Sequence, residues 1–249
     1  MRAALLLLAD SRLPAGGHGH SGGAEEAVRT GAVHDLPSLD SFLRGRLATA
    51  GLVAAALAAA ACEFGTVCAG DRLSPSPARH PGAGGTEEGD GWTPAGRTGS
   101  WARLDAEADA RTASPAQREA GRTQGRLLLR TARRIWPSPV LDDLAGAVPQ
   151  GTHHPIALGA AAAAAGCAPG EAALAAAYTA VTGPATAAVR LLGLDPVPVH
   201  RLLADLTQQM ERIAAGAPAG WESLPAHAAP ALDLLAEGHV RAELRLFVS

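Results

Sequence analysis

The sequence has no lysine and no asparagine; all 21 of its cations are arginine. Aromatic residues are scarce, with three Phe, four Trp and one Tyr in 249 residues. Isoleucine appears three times and cysteine three times, at Cys62, Cys68 and Cys167. Each shortage excludes something. Without lysine there is no GxxxxGK[ST] phosphate loop. With so few β-branched and aromatic residues, alternating strand patterns cannot be assembled. An odd cysteine count without a CxxC pair gives no disulfide framework and fits a reducing compartment. A long hydrophobic run is missing too. "MRAALLLLADSRLP" is too short for a secretory leader and is interrupted by Asp10. The uncharged stretch after Arg46 reaches only Cys62, sixteen mostly alanine residues, too few and too weakly apolar to predict a bilayer span. A net charge of −3 argues against non-specific nucleic-acid binding. The absent Lys and Asn fit the codon usage of a GC-rich genome. The expectation is a cytoplasmic, soluble chain with neither membrane nor nucleic acid as partner.

What is present is alanine, leucine and glycine. Hydrophobic residues make up 47% and charged residues 18%, the balance of a globular chain. Ala and Leu favour helix, and the pattern predicts an all-α, single-domain helical bundle over residues 1–249. A first helix is expected at Leu5–Ala9, and a second at Ala24–Thr30 with Ser21 as cap and Gly31 as stop. A third starts near Asp35 or Ser38 and runs to about Phe64, its small residues letting two backbones approach closely. Ser74 to Gly99, rich in Pro, Gly and Ser, reads as a long flexible insert. Helices are expected again at Ser100–Arg111 and Ser114–Trp136, in short pieces around Val140–Val148, and from Thr152 to Gly166. A long helix follows with a kink at Gly183-Pro184. One more runs from the Asp195 cap to Gly216, and a last lies near Pro230–Val240.

Three features invite a functional reading. From Gly16 to Gly23 five of eight residues are glycine, with His18 and His20 among them. Each glycine costs a helix about 0.5–1 kcal/mol, so this stretch is read as a loop, an adaptable surface that a partner orders. Together with His153 and His154 the two histidines could supply four nitrogens to zinc or nickel, although no HExxH and no ligand-spaced Cys or carboxylate accompanies them. Arg118, Arg122, Arg126, Arg130 and Arg134 recur every four residues, joined by Arg133. That stripe reads either as a solvated face balanced by Asp105, Glu107 and Asp109, or as a docking edge for an acidic or nucleotide-bearing partner. No GxSxG supports a hydrolase.

Taken together, these stretches resemble a known family. "LLLLADSRLPAGGHGHSGGAEEAV" is similar to the N-terminal motif of the UreF family of urease accessory proteins, with Asp10, Ser11, Leu13, Pro14, Gly16, Gly17, His20, Ser21, Gly23 and Glu25 on it. "REAGRTQGRLLLRTA" resembles the family's arginine-started helix, and "HHPIALGAAAAAAG" and "AAVRLLGLD" follow in the family's order. The tail matches as well, with His239 six residues before "RLFVS". The resemblance implies an all-helical, non-enzymatic component of urease maturation, without a cofactor of its own; nickel is handled by the complex. It implies partners: a nickel-carrying GTPase of the UreG type, a UreD- or UreH-type protein, apo-urease, and a second copy in a homodimer. It points to Pro14, Gly16, Gly17, His18, His20, Ser21, Glu25, Arg118, Arg122, Arg126, His239, Arg245, Leu246 and Phe247 as partner-binding residues. The family's aromatic is replaced by His18, and its apolar neighbours by Gly22 and Ala24. The alternative is a small nickel- or zinc-binding protein, or a metalloenzyme, built on His18, His20, His153 and His154.

Overall fold

The computed structural model describes residues 3–73, 94–217, 223–243 and 245–247; the side chains of residues 18, 71–73 and 94–99 are outside that description. Among the described residues every extended element is a helix. In chain order these are α1 (Ala3–Ala9), α2 (Ala24–Arg29), α3 (Leu36–Arg46), α4 (Leu52–Leu73), α5 (Pro94–Ala110) and α6 (Pro115–Ile135). They continue as α7 (Pro139–Ala147), α8 (His154–Ala164), α9 (Pro169–Leu192), α10 (Pro196–Ala215) and α11 (Pro230–Val240). A 3-10 turn lies at Gly17–Gly19, and a π-helical stretch at Leu47–Gly51 joins α3 to α4.

The centre is alanine. α4 packs most closely against α8 and α9, and nearly all the alanines of Ala55–Ala61 and Ala157–Ala162 are solvent-free. At Gly159 a Cβ would lie 2.3 Å from the carbonyl oxygen of Ala58, so only glycine lets α8 approach α4 this closely. The larger side chains form an outer layer on this alanine seam: Leu39, Leu43 and Leu47 from one side, Leu128, Leu141, Leu144 and Ile156 from the other, all buried. At about 1.5–3 kcal/mol per buried large side chain, this layer drives the packing.

Several boundaries differ from expectation, each for a packing reason. α4 runs nine residues past Phe64, burying Cys68 and setting Gly65 against Ala163. α5 begins at Pro94, inside the stretch expected to be loop; proline suits a first helical position. From there Trp101, Leu104, Asp105 and Ala108 turn inward at helical spacing, and Trp101 meets Phe64 edge-on at 4.7 Å. Residues 74–93 of the expected insert lie outside the described part. α2 is not capped by Ser21. Its N-cap is Gly23 at φ 89°, while Ser21 is fully buried and its hydroxyl finds no partner among the described residues. The expected caps Asp35 and Asp195 do accept from backbone N–H groups, and Ser114 caps α6 in the same way.

The run Leu36–Gly70 and the helix Pro169–Leu192 are long and apolar enough to cross a bilayer by length and composition, contrary to the expectation drawn from the alanine stretch alone. They are largely buried here, 61% and 56% over their most apolar windows, as the core helices of the bundle.

Candidate functional site

The glycine-rich N-terminal stretch is folded onto the bundle. Pro14 gives its carbonyl to the Thr131 hydroxyl on α6 at 2.8 Å. Gly16 takes φ +76°, and a Cβ there would meet Leu127 at 2.8 Å. Gly17 and Gly19 have open space around them, within the turn that also carries His18. His20 and Ser21 are buried. Gly22, at φ +56°, gives its carbonyl to Nη1 of Arg46 at 2.7 Å. The glycines therefore supply positive φ and close approach, which other residues meet only with strain.

The other end of the chain closes on this motif. Glu25, on α2, accepts from the backbone N–H of Leu246 at 2.6 Å and of Phe247 at 3.0 Å. A carboxylate with two successive amide donors is a charge-assisted pair of bonds. His239 on α11 is 1% exposed and lies between them, its Nε2 3.2 Å from the Phe247 carbonyl and 3.7 Å from the Glu25 carboxylate. α11 comes close enough because residue 238 is glycine: a Cβ there would sit 2.4 Å from the Glu26 carboxylate. Leu246 itself stays 77% exposed, and Leu234 and Val240 on α11 are also exposed.

The arginine stripe of α6 is spent largely inside the molecule. Arg122 bonds Asp105 at 2.7 Å, Asp109 at 2.5 Å and the Gly151 carbonyl at 2.7 Å. Arg118 donates to the carbonyls of Thr112 and Ala113, and Arg126 to Gln150, Thr123 and Glu119. Asp105 is the hub: buried, it also accepts from the Thr152 hydroxyl and the His153 backbone N–H. Burial pushes the Asp109 carboxyl up, but bonds from His153 and Arg122 outweigh that and hold it below the usual range. Asp105, Asp109 and His153 have the spacing of a metal triad, yet Arg122 already sits against both carboxylates, and His153 Nε2 is 2.7 Å from Asp109.

The histidine quartet is divided. His153 belongs to that ion network. His154, one residue on, is within electrostatic reach of His20, and burial pushes its pKa down to about 4. Burial likewise raises the Cys62 thiol to about 12, which leaves it an unreactive core group bonded to the Cys167 carbonyl.

A family model described as UreF matches residues 33–207 of the chain. The chain belongs to the UreF family. The urease accessory protein UreF of Mycolicibacterium vanbaalenii is 44% identical over 247 residues, covering 99% of this chain and 98% of that protein. The UreF of Mycobacterium marinum is 44% identical over the same span, and that of Mycobacterium tuberculosis 40%.

Against this UreF-family background, the structure gathers Glu25, His239, Leu246 and Phe247 into one cluster, with Arg245 on its exposed side. It sets Pro14 and Gly16 apart, against α6, with Gly17 next to them in open space. Arg118, Arg122 and Arg126 face the α5–α6 and α7–α8 connections. Sequence reasoning passed over Arg46. Its signal was there: it is the last cation before the sixteen uncharged residues that build the core.

Proposed function

We propose that this UreF-family chain is a non-enzymatic helical scaffold of urease maturation. It holds a UreG-type, nickel-carrying GTPase and a UreD- or UreH-type protein on apo-urease so that nickel can be inserted. In this reading it works in the cytoplasm, as a homodimer within the complex, and modulates the GTPase. One observation carries it. The two segments that the resemblance marks for partner contact, the N-terminal motif and the C-terminal tail, are joined through Glu25 into a single surface. That surface presents exposed Leu234, Val240 and Leu246, apolar groups suited to a protein partner.

The test is co-purification from cells carrying urease and its other accessory proteins. Deleting Arg245–Ser249 is expected to abolish capture of the UreD- or UreH-type protein and leave helicity nearly unchanged. An intact complex after the deletion overturns the reading. The nearness of His20 and His154 supports a second reading, that the chain itself touches nickel in transit. Equilibrium dialysis with nickel decides it: stoichiometric binding lost in the His20→Ala/His154→Ala double variant is expected, and equal binding by both proteins overturns it.

A further inference from the structure

Arg46 ends α3, and the chain then passes into the π-helical stretch Leu47–Gly51. Such wide turns are rare and recur at functional positions. Arg46 is partly buried, and it reaches across to two distant backbones. Its Nε donates to the Ala180 carbonyl on α9 at 2.8 Å, and its Nη1 to the Gly22 carbonyl at 2.7 Å. Three of its five N–H groups are left over, one on Nη1 and two on Nη2. No carboxylate answers them: among the described residues Arg46 makes no ion pair, and burial lowers its pKa to about 10 with no acidic neighbour to raise it. This contrasts with Arg122, which is held by two aspartates.

Two carbonyls fix the Arg46 guanidinium in place, it has no counter-charge among the described residues, and its unbonded Nη2 stays open to solvent. Arg46 lines a cleft of about 920 Å³, the size of a small-ligand site. His20, His154, Tyr178 and Thr182 also line it, and Gly22 packs directly against the Arg46 guanidinium and Pro184. The leftover hydrogens are carried by Nη1 and Nη2, donors of the planar fork that takes two oxygens of a carboxylate or phosphate side by side.

We propose that this cleft binds a small oxyanion, of the carboxylate or phosphate class, with the Arg46 fork as its anchor. The ligand supplies the missing counter-charge.

The experiment uses the purified full chain. Melting temperature is followed against inorganic phosphate and, separately, against acetate, each at ionic strength held constant with sodium chloride. A saturable rise is expected for one or both anions, about 3–6 °C at ten times the dissociation constant. The anion with the lower half-saturation names the class. Arg46→Gln, which keeps amide donors for the carbonyls, is expected to remove the rise. No saturable rise with either anion overturns the proposal, and so does a rise undiminished in Arg46→Gln. Should that variant fail to fold, the unmodified chain still decides.

Discussion

Two buried polar residues show how much a single side chain decides. Asp105 receives three donors at once, from Thr152, His153 and Arg122. Asp105→Asn keeps an acceptor for the first two but turns an amide N–H₂ toward the guanidinium. Breaking a buried ion pair from one side costs about 3–5 kcal/mol, and urea denaturation is expected to show a loss of that size. Asp109, 39% exposed at its side chain, should lose about 1 kcal/mol or less as Asn. His154 sets a pH dependence of its own. Its folded pKa is depressed to about 4 from an ordinary 6.5. Between those values the unfolded chain binds the extra proton, so stability contributed by neutral His154 is complete above about pH 6.5. It drains away as pH falls toward about 4. His154→Gln is expected to flatten that part of the stability–pH curve. The Asp105 network was half legible in the sequence. Arginines at four-residue spacing near three acids announce ion pairs, but helix phase alone does not tell which arginine faces inward. Arg122 does so because Gly121 and Gly125 on the same helix clear room for His153 and the Thr152 carbonyl, at 3.1 and 1.9 Å from any Cβ placed there.

At the scale of the helix, α9 poses a problem that α3 solves. Pro184, the site of the expected kink, lies within α9, which is helical from Pro169 to Leu192. A proline has no N–H to give the carbonyl four residues back, and that carbonyl belongs to Ala180. Arg46 donates to it instead. The break in one helix is thus bridged by the end of another, with the π-helical stretch after Arg46 setting the approach. The two residues should therefore be energetically coupled. In Pro184→Ala the new N–H serves Ala180, so Arg46→Met is expected to cost about 1 kcal/mol less there than in the unaltered chain. A double-mutant cycle by chemical denaturation measures the difference; strict additivity would refute the bridge. Helix ends were the readable part of the sequence, because Asp35, Ser114, Asp195, Gly216 and the prolines after the caps act locally. The extensions of α4 and α5 were not readable. They depend on Trp101 finding Phe64 thirty-seven residues away, a contact that no local pattern encodes.

Across the whole molecule, the two chain ends are tied at Glu25, whose partners lie 221 and 222 residues further along. The apolar tail signalled docking in the sequence, but whether onto this chain or another was open, since neither "AEEAV" nor "RLFVS" names its partner. The structure supplies an anchor on the chain itself. The tail's helical neighbour α11 is held by a buried histidine, whereas the tail residues are largely exposed, so the tail is the less firmly held of the two. Both tail amides depend on one carboxylate, and hydrogen bonds to a charged group contribute about 1.5–3 kcal/mol. Glu25→Gln keeps one oxygen and sets an N–H₂ group against the second amide, so it loosens the tail without removing bulk. Amide exchange of Leu246 and Phe247 is therefore expected to quicken by at least tenfold in Glu25→Gln, with the amides of α4, α8 and α9 unchanged. In the same variant, capture of the UreD- or UreH-type protein should weaken if that partner reads the assembled surface. It should strengthen if the partner takes the tail for itself, because the competing internal bond is gone. Exchange rates unaltered by the substitution would mean that Glu25 does not hold the tail in solution.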